Sequence, residues 1–375
     1  MDTQRTGQGI FHGVSLALLI LCAAGVLLWL VLGSTTGLGM TTAFGLYVAA
    51  FFALMAAGAG LLLFSALPYT LGFAALKPLS GKANLLALAC FVGGGLFILA
   101  DVGSPLTLWR MLTGPNFSSP FTWDMIAFAI TFVLGLAFLP VSLHAEGIGE
   151  SGPKGMAWVL SLFCIALLVV EGSIVATVWS NPLFVVSFLV TGVMAGAALI
   201  LWLAPDTAAP EMARPLRRTL ISLIALWVFF SVLDPLTSLF LTETESGQTA
   251  ISILAGPYSF LFYVQVLLLG VLPLILLAQK KEAERISGDG IAVGLVLLGV
   301  LVDKYLVLVP KQMNPAIAFP STPFNAGPAY ATTIAEWSLT IGLLALVGLL
   351  YTIAARPMTR QAAAPQAQFE QRRVA

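Results

Sequence analysis

Long apolar runs alternate with short polar segments along the whole chain. A helix needs about twenty apolar residues to cross the hydrocarbon core of a membrane, and ten runs reach that length. The runs lie at about residues 12–33, 42–64, 83–104, 122–144, 155–179, 183–204, 217–240, 257–279, 290–310 and 333–354. The pattern therefore predicts an all-α membrane protein with ten transmembrane helices.

The basic residues between these runs lie almost entirely on one side of the membrane. Ten crossings place both termini on the same side, which we name side A, and the opposite face is side B. Fourteen of the 17 Lys and Arg residues fall on side A, whereas Arg110, Lys304 and Lys311 fall on side B. Cytoplasmic loops are enriched in Lys and Arg, so side A is predicted to be cytoplasmic and side B periplasmic. We expect a multi-pass protein of the bacterial inner membrane, with both termini in the cytoplasm.

Composition narrows the possible partners and cofactors. Hydrophobic residues make up 59% of the chain and charged residues 9%, so lipid is its main solvent. Basic and acidic residues number 17 each, which leaves no positive excess for binding nucleic acid. His12 and His144 lie at the side A ends of their spans, and the three cysteines have no Cys-x-x-Cys spacing. We therefore expect no metal site, no haem and no iron-sulfur cluster in this chain.

Ionisable residues inside the predicted spans form one layer. A charged side chain at the membrane centre costs about 2.5–3.5 kcal/mol on insertion scales, so such residues are rare. Six of them fall in the side B half, namely Asp101, Glu171, Asp234, Asp303, Lys304 and Glu336. Groups of this kind can hydrogen-bond quinone carbonyls or move protons. The alternatives are pairing within the bundle for Asp303 or Lys304 and a helix-end position at the interface for Asp101.

A weak internal repeat suggests how the spans are grouped. The third span ends in Asp101 followed by Pro105, and the seventh ends in Asp234 followed by Pro235. The repeat predicts two four-helix bundles, spans two to five and spans six to nine. Bundle one covers about residues 42–180, bundle two about 183–310, and the flanking helices 12–33 and 333–354 complete a membrane domain of residues 1–355. Residues 356–375 are predicted to form a disordered cytoplasmic tail.

The segment from Asp101 to Asp124 is the most distinctive in the chain. It begins Asp-Val-Gly-Ser-Pro and passes through Trp109 and a Ser-Ser-Pro element to Trp123. This segment resembles the NrfD and polysulfide-reductase membrane-subunit family, whose third span typically ends Asp-Leu-Gly-Arg-Pro and leads through Trp and Pro-x-x-Ser-Pro to Trp.

Two further segments resemble the same family. In the second span, the Gly-Leu-Tyr of residues 45–47 and the small-residue run of residues 56–60 are similar to the family's helix start and packing face. Lys304-Tyr305 and Glu336-Trp337 resemble the closing region of the ten-span branch. That branch includes subunits of alternative complex III and of hydrogenase- and sulfur-linked respiratory complexes.

The resemblance implies a quinone pocket near side B, formed chiefly by spans two to five. The residues carried over to that pocket are Tyr47, Phe51, Asp101, Trp123 and Asp124. Asp101 and Tyr47 are expected to be polar contacts and Trp123 a wall against the quinone ring. The sequence departs from the family pattern on the second span, where Val48 and Phe51 stand in place of the family's Asn and His, and at Ser104 in place of Arg.

The resemblance also implies a redox partner beside the pocket. We expect a periplasmic ferredoxin-like iron-sulfur subunit that docks on the loops at about 105–121 and 311–332, and a further catalytic or cytochrome subunit. The chain would then be the quinone-interacting membrane anchor of a respiratory oxidoreductase, non-catalytic alone, with menaquinone or ubiquinone as its bound substrate. Protons would move through a second group of residues, which comprises Glu171, Asp234, Asp303, Lys304 and Glu336.

Two other classes of function stay open at this point. A proton-conducting or proton-pumping subunit of the same kind of complex could use the same acids as relay groups. A secondary solute transporter is permitted by the hydropathy, although transporters commonly carry broken helices near the midplane rather than polar groups near one face.

Overall fold

The computed structural model describes most of the chain. The described residues are 2–32, 44–102, 109–143, 154–179, 181–204, 210–240, 245–278, 282–312 and 330–356. Two regions predicted from the sequence lie wholly or largely outside them. The tail predicted at 356–375 is outside apart from its first residue, and the loop predicted at 311–332 is outside between 313 and 329.

The described residues form helices and short turns. The α-helices are α1 Asp2–Leu32, α2 Leu46–Thr70, α3 Lys77–Asp101, α4 Trp109–Thr113, α5 Pro120–Leu143, α6 Lys154–Trp179, α7 Leu183–Leu203, α8 Pro210–Leu239, α9 Glu245–Leu254, α10 Ser259–Gln265, α11 Leu272–Leu277, α12 Glu282–Gln312 and α13 Ile334–Ala354. A 3-10 turn at Ala74–Leu76 precedes α3, and a π-helical segment at Val266–Val271 joins α10 to α11.

Ten helices in the described part of the chain are long and apolar enough to cross a membrane. They match the ten predicted runs, with α10, the π segment and α11 together forming the eighth span, Ser259–Leu277. Only helices satisfy every backbone hydrogen bond within one segment in lipid, which is why each apolar run becomes a helix. The all-α class with ten spans is confirmed. Two short helices, α4 and α9, were not predicted.

Helix α2 lies at the centre of the molecule, where it packs on α3, α7, α6, α12 and α13. It crosses α7 at glycines. A Cβ added at Gly60 would collide with the carbonyl oxygen of Gly192, and one added at Gly196 would collide with the backbone of Gly60. Small residues at such a crossing let two helix backbones approach closely in a membrane. The first spans of the two predicted bundles therefore meet directly, while the division into two bundles stays a prediction.

Helix α1 packs mainly on α13, and α13 in turn packs on α3 and α2. Side chains such as Ile20, Leu30 and Val31 of α1 are more than half exposed, as expected for a helix at the edge of a membrane bundle. The two helices predicted to flank the bundles are thus neighbours.

Hydrogen bonds near side B tie distant segments to the start of α2. The side chain of Gln312, the last residue of α12, accepts from the backbone N–H of Phe44 at 2.9 Å and donates to its carbonyl oxygen at 2.9 Å. The backbone N–H of Leu46 donates to the hydroxyl of Tyr330 at 2.9 Å. These contacts fix the side B ends of α2, α12 and α13 relative to one another.

Candidate functional site

Two polar groups from α2 and α3 meet near side B. Tyr47, the second residue of α2, is 1% exposed, and its ring centroid lies 6.2 Å from that of Phe97 on α3. The Tyr47 hydroxyl interacts electrostatically with Glu336 and with Asp101, the last residue of α3. The buried Asp101 Oδ1 has no hydrogen-bond partner among the described residues.

The indole of Trp29 on α1 adds a hydrogen-bond donor to the same place. Its Nε1 is buried and interacts with the oxygen of the Tyr47 hydroxyl, which leaves the Tyr47 O–H and Asp101 Oδ1 without a hydrogen-bond partner among the described residues. A buried polar atom left without a partner costs about 1–3 kcal/mol, so several such atoms together point to a group that is bound there. We name Trp29, Tyr47 and Asp101 the Asp101 cluster.

Glu336 lies beside this cluster, but both of its carboxylate oxygens are already hydrogen-bonded. Oε1 accepts from the Tyr330 hydroxyl at 2.9 Å, and Oε2 accepts from the backbone N–H of Thr333 at 2.7 Å. The Thr333 hydroxyl accepts from the Glu336 N–H in return, which completes a capping box at the start of α13. Burial raises the pKa of the Tyr330 phenol, so it remains the donor in this pair. The contacts of Glu336 suit a structural role.

The remaining residues of the predicted quinone pocket lie in other surroundings. Phe51 is buried, and its ring centroid lies 5.2 Å from that of Phe52. Trp123 is 49% exposed, and its Nε1 donates to the carbonyl oxygen of Phe117 at 3.0 Å. Asp124 is buried on α5, and its Oδ1 has no hydrogen-bond partner in the described part of the chain.

Asp303 on α12 is held by groups from three helices. Its Oδ1 accepts from Trp227 Nε1 on α8 at 3.1 Å and from Gln265 Nε2 on α10 at 2.7 Å. Its Oδ2 lies 3.2 Å from Lys304 Nζ. Gln265 is the residue immediately before the π-helical segment, and π-helical turns often occur at functional sites. Charge pairing and two donors together make Asp303 a firmly fixed carboxylate.

Lys304 is fully buried, and its side chain reaches from α12 to α7. Its Nζ donates to Thr191 Oγ1 on α7 at 2.8 Å and lies 3.6 Å from the ring centroid of Phe188. A lysine ammonium over an aromatic face is stabilised by the ring quadrupole. Phe188 also meets Phe52 of α2 edge to face at 5.3 Å, so the ammonium stands above the contact between α2 and α7.

Glu171 on α6 is completely buried and neither of its carboxyl oxygens has a hydrogen-bond partner among the described residues. It interacts electrostatically with Asp124 on one side and with Lys304 on the other. The next residue, Gly172, packs so closely on α7 that an added Cβ would lie 3.2 Å from the Phe188 Cβ. Glu171 thus interacts electrostatically with an acid of the first predicted bundle and with a lysine of the second.

A partly open polar cavity lies between α7, α8, α9, α10 and α12. Its volume is about 90 Å³, which is enough for several water molecules. The polar part of its lining includes Asn181, Ser231, Asp234, Gln265, Asp303 and Lys311. Asp234 accepts a hydrogen bond from the side-chain amide of Asn181, and Lys311 Nζ donates to Ser246 Oγ at 3.3 Å. A smaller apolar cavity lies beside Phe44, Val48 and Phe121.

Comparison with known protein families shows to which family this chain belongs. A family model described as polysulphide reductase, NrfD, matches residues 34–316. The chain belongs to the NrfD family. The family resemblance that the sequence motifs carry is thereby confirmed.

Three relatives of this NrfD chain are reductase subunits by name. A selenate reductase subunit of Mesobacillus selenatarsenatis is 22% identical over 363 residues, covering 83% of this chain and 84% of the relative. A putative dimethyl sulfoxide reductase membrane subunit of Halobacterium salinarum is 24% identical over 380 residues, covering 89% of this chain and 87% of the relative. The integral membrane subunit of a menaquinone reductase of Nitratidesulfovibrio vulgaris is 22% identical over 368 residues, covering 86% and 84%.

The NrfD chain brings together only some of the residues singled out from its sequence. Tyr47 and Asp101 share one cluster. Asp124 instead interacts with Glu171, and Asp303 and Lys304 form an adjacent ion pair. Among the described residues, no group of three His, Cys, Asp or Glu side chains could hold a metal ion.

Several side chains of the site were not expected from the sequence. Trp29 near the end of the first span is typical of an aromatic residue at the membrane interface, so nothing marked it as part of a site. Gln265 could have been found from the sequence, because a polar amide within an apolar span needs a hydrogen-bond partner. Thr191 gives no such signal, since hydroxyls within membrane helices commonly bond to their own backbone.

Proposed function

We propose that this NrfD chain is the quinone-interacting membrane anchor of a respiratory oxidoreductase complex. It exchanges electrons between membrane quinone or quinol and a periplasmic iron-sulfur partner. Family membership and a relative named as a menaquinone reductase subunit support a quinone-linked role. The observation that carries the proposal is the Asp101 cluster, in which the Trp29 N–H, the Tyr47 hydroxyl and the Asp101 carboxyl are buried and the Tyr47 O–H and Asp101 Oδ1 have no hydrogen-bond partner among the described residues.

The chemistry of the cluster fits a quinone headgroup. The Trp29 N–H and the Tyr47 O–H are donors of the kind that quinone carbonyl oxygens accept. The Asp101 carboxyl can accept from a quinol hydroxyl or supply a proton to a reduced oxygen. The adjacent rings of Phe97 and Tyr47 offer an apolar wall. Quinone, as the substrate, supplies the redox chemistry, and the chain supplies binding, orientation and proton exchange.

The iron-sulfur partner is proposed to dock on side B. There α4 carries Trp109, which is 57% exposed, and the turn after it carries Phe117, which is 60% exposed. Exposed aromatic side chains at one end of a bundle are typical of protein interfaces. The relatives' names describe them as subunits, which agrees with a complex that also contains a further catalytic or cytochrome subunit. The described part of the 105–121 loop includes both aromatic residues, whereas most of the loop at 311–332 lies outside the description.

Proton exchange is proposed to use the buried ionisable groups of the side B half. Glu171, Asp303 and Lys304 are buried, and Asp234 lines the polar cavity. Glu336 was included in this pathway from the sequence; both of its oxygens accept hydrogen bonds, and Asp303 is held in the same way by Trp227, Gln265 and Lys304.

The experiment that tests the quinone site compares two tyrosines of α2. Tyr47→Phe and Asp101→Asn each remove one hydrogen-bonding group of the Asp101 cluster. The matched control is Tyr69→Phe at the other end of the same helix, where the hydroxyl donates weakly to the Val141 carbonyl oxygen at 3.4 Å. We expect Asp101→Asn to lower quinone-dependent turnover of the purified complex at least about 100-fold and Tyr47→Phe about tenfold, with unchanged assembly. Wild-type turnover in both variants would contradict the proposed quinone site.

The polar cavity favours a second candidate function, a proton-conducting or proton-pumping subunit of the same kind of complex. Asp234 and Asp303 line a partly open space that can hold water, which is what a proton path requires. Proton uptake into liposomes containing the purified complex separates the two functions. Uptake that continues without a quinol substrate supports conduction, and uptake during turnover in excess of the protons of the quinone reaction supports pumping. Uptake only during turnover and only in the amount of the quinone reaction supports the quinone anchor.

A further inference from the structure

We infer that Gln312 and Tyr330 are positioning residues of the quinone site, because they hold the first turn of α2 in the place from which Tyr47 reaches the quinone. The inference rests on the proposed quinone function and adds two residues that act on quinone through Tyr47. Both belong to the segment at 311–332, outside the spans two to five from which the pocket was predicted.

The start of α2 has no cap of its own. The first backbone N–H groups of a helix find no acceptor within the helix, and the side chain just before the helix commonly supplies one. At α2 this position is Gly45, which makes no side-chain cap hydrogen bond. The first turn of α2 therefore needs hydrogen-bond acceptors from elsewhere in the chain.

Tyr330 supplies one of these acceptors. Its hydroxyl oxygen accepts from the Leu46 N–H at 2.9 Å. The same hydroxyl donates to Glu336 Oε1 at 2.9 Å, and Glu336 is itself fixed by the capping box at the start of α13. Leu46 is 1% exposed, so water has no access to replace a lost acceptor. The start of α2 is therefore capped by a side chain that α13 holds in place.

Gln312 fixes the residue just before Gly45. Its side-chain amide accepts from the Phe44 N–H and donates to the Phe44 carbonyl oxygen, both at 2.9 Å. Its Nε2 also donates to the carbonyl oxygen of Leu308 on its own helix at 2.9 Å, which fixes the orientation of the amide. Two hydrogen bonds of opposite direction set both the position and the rotation of the Phe44 backbone.

Side-chain packing alone restrains this segment less on the side of α5 and α6. The Phe44 ring centroid lies 6.0 Å from that of Phe121 at the start of α5. A small apolar cavity lies beside these two rings and Val48, and atoms that line a void have no contact partner on that side. The hydrogen bonds from Gln312 and Tyr330 are therefore the main restraint on residues 44–46.

Tyr47 follows this restrained segment directly. It is 1% exposed, and its ring packs beside Phe97 of α3, so the place of its hydroxyl is set by the backbone of the first turn. A shift of that turn changes the distance and the angle between the hydroxyl and a quinone oxygen. Because hydrogen bonds weaken steeply with both, a small shift lowers the affinity for quinone.

The test measures KM and kcat of quinone-dependent turnover by the purified complex. Tyr330→Phe removes the acceptor for Leu46, and Gln312→Met removes both hydrogen bonds to Phe44 while keeping a side chain of similar length. A displaced Tyr47 raises KM, whereas a partly unfolded preparation loses active molecules and lowers kcat. We expect each variant to raise KM about three- to tenfold, as for the loss of one hydrogen bond, and to change kcat less than about twofold.

Tyr263→Phe is the matched control. It removes a tyrosine hydroxyl that donates to the Leu254 carbonyl oxygen at 3.1 Å, on α10 instead of beside α2. The KM for quinone should stay at the wild-type value in this variant. If Tyr330→Phe does not assemble, Gln312→Met decides the question, since it leaves the capping box of α13 untouched.

Combination with Tyr47→Phe separates positioning from an independent contact with quinone. If Gln312 and Tyr330 act through the Tyr47 hydroxyl, adding either variant to Tyr47→Phe raises KM no further than Tyr47→Phe does alone. Increases in KM that multiply would show that these residues act on quinone without Tyr47, and would overturn the inference.

The outcomes also separate the inference from the function on which it rests. A wild-type KM in Tyr330→Phe or Gln312→Met, with an active wild-type complex, refutes the positioning role of that residue and leaves the quinone anchor intact. Absence of quinone-dependent turnover in the wild-type complex refutes the proposed function itself.

Discussion

The carboxyl groups of Asp303 and Glu171 are both buried in this molecule, but their hydrogen-bonding surroundings are opposite. Asp303 accepts from Trp227 and Gln265 and pairs with Lys304, so its position is fixed by residues of three helices. Glu171 has no hydrogen-bond donor in range among the described residues. The first arrangement stabilises the packing of α8, α10 and α12, and the second leaves a carboxyl available for exchange.

The ion pair between Asp303 and Lys304 leads to a prediction about the stability of the protein. Asp303→Asn leaves the Lys304 ammonium buried without its counter-charge, which costs about 3–5 kcal/mol when a buried pair is broken from one side. Thermal unfolding of the purified protein in detergent should show the loss as a lowered midpoint.

The double variant Asp303→Leu with Lys304→Met provides the control. It removes both charges and keeps apolar volume, so it should lose less stability than Asp303→Asn alone. A double variant at least as unstable as the single one would contradict the interpretation of the pair as a charge-compensated unit.

The spans could be predicted from the sequence because the membrane itself sets their length and composition. Each apolar run became a helix, and most ends lie within several residues of the prediction, as at Leu183–Leu203, whereas the third span already begins at Ala74 instead of residue 83. The short helix Glu245–Leu254 was missed because it begins with polar residues and is too short to span lipid. The family motifs singled out Asp101 and Tyr47, which lie in one cluster in the structure and remain a predicted site. The contact between Lys304 and Thr191 joins residues 113 positions apart, which no local pattern reveals.

The crossing of α2 and α7 leads to a prediction about how closely the two helices must pack. Gly196→Leu inserts a side chain where the Gly60 backbone already lies, so the helices must separate. Overpacking of a tight contact costs about 1–3 kcal/mol or more. We expect a lower unfolding temperature and weakened quinone-dependent turnover, because α2 carries Tyr47.

Gly155→Leu near the start of α6 is the matched control for this crossing. A Cβ at Gly155 would meet nothing within 4 Å, so the same change should leave the unfolding temperature close to that of the wild type. Equal losses in both variants would show that the effect does not arise from the crossing.

The distribution of basic residues leads to a prediction for the whole molecule. Side A is expected to face the cytoplasm and side B the periplasm. A cysteine introduced by Thr113→Cys on the exposed α4 should react with a membrane-impermeant thiol reagent in intact spheroplasts. One introduced by Gly155→Cys should react only after permeabilisation. The wild-type chain measures the background from Cys22, Cys90 and Cys164, and the reverse labelling pattern would refute the orientation.

The π-helical segment at Val266–Val271 makes the eighth span sensitive to chain length. An α-helix turns by about 100° per residue, so loss of one residue from the widened turn would rotate one half of the span relative to the other by that angle. Gln265 would then point away from Asp303, and the anion would lose its shortest donor. Related chains with a one-residue deletion here should therefore carry a compensating amide or indole on a different helix.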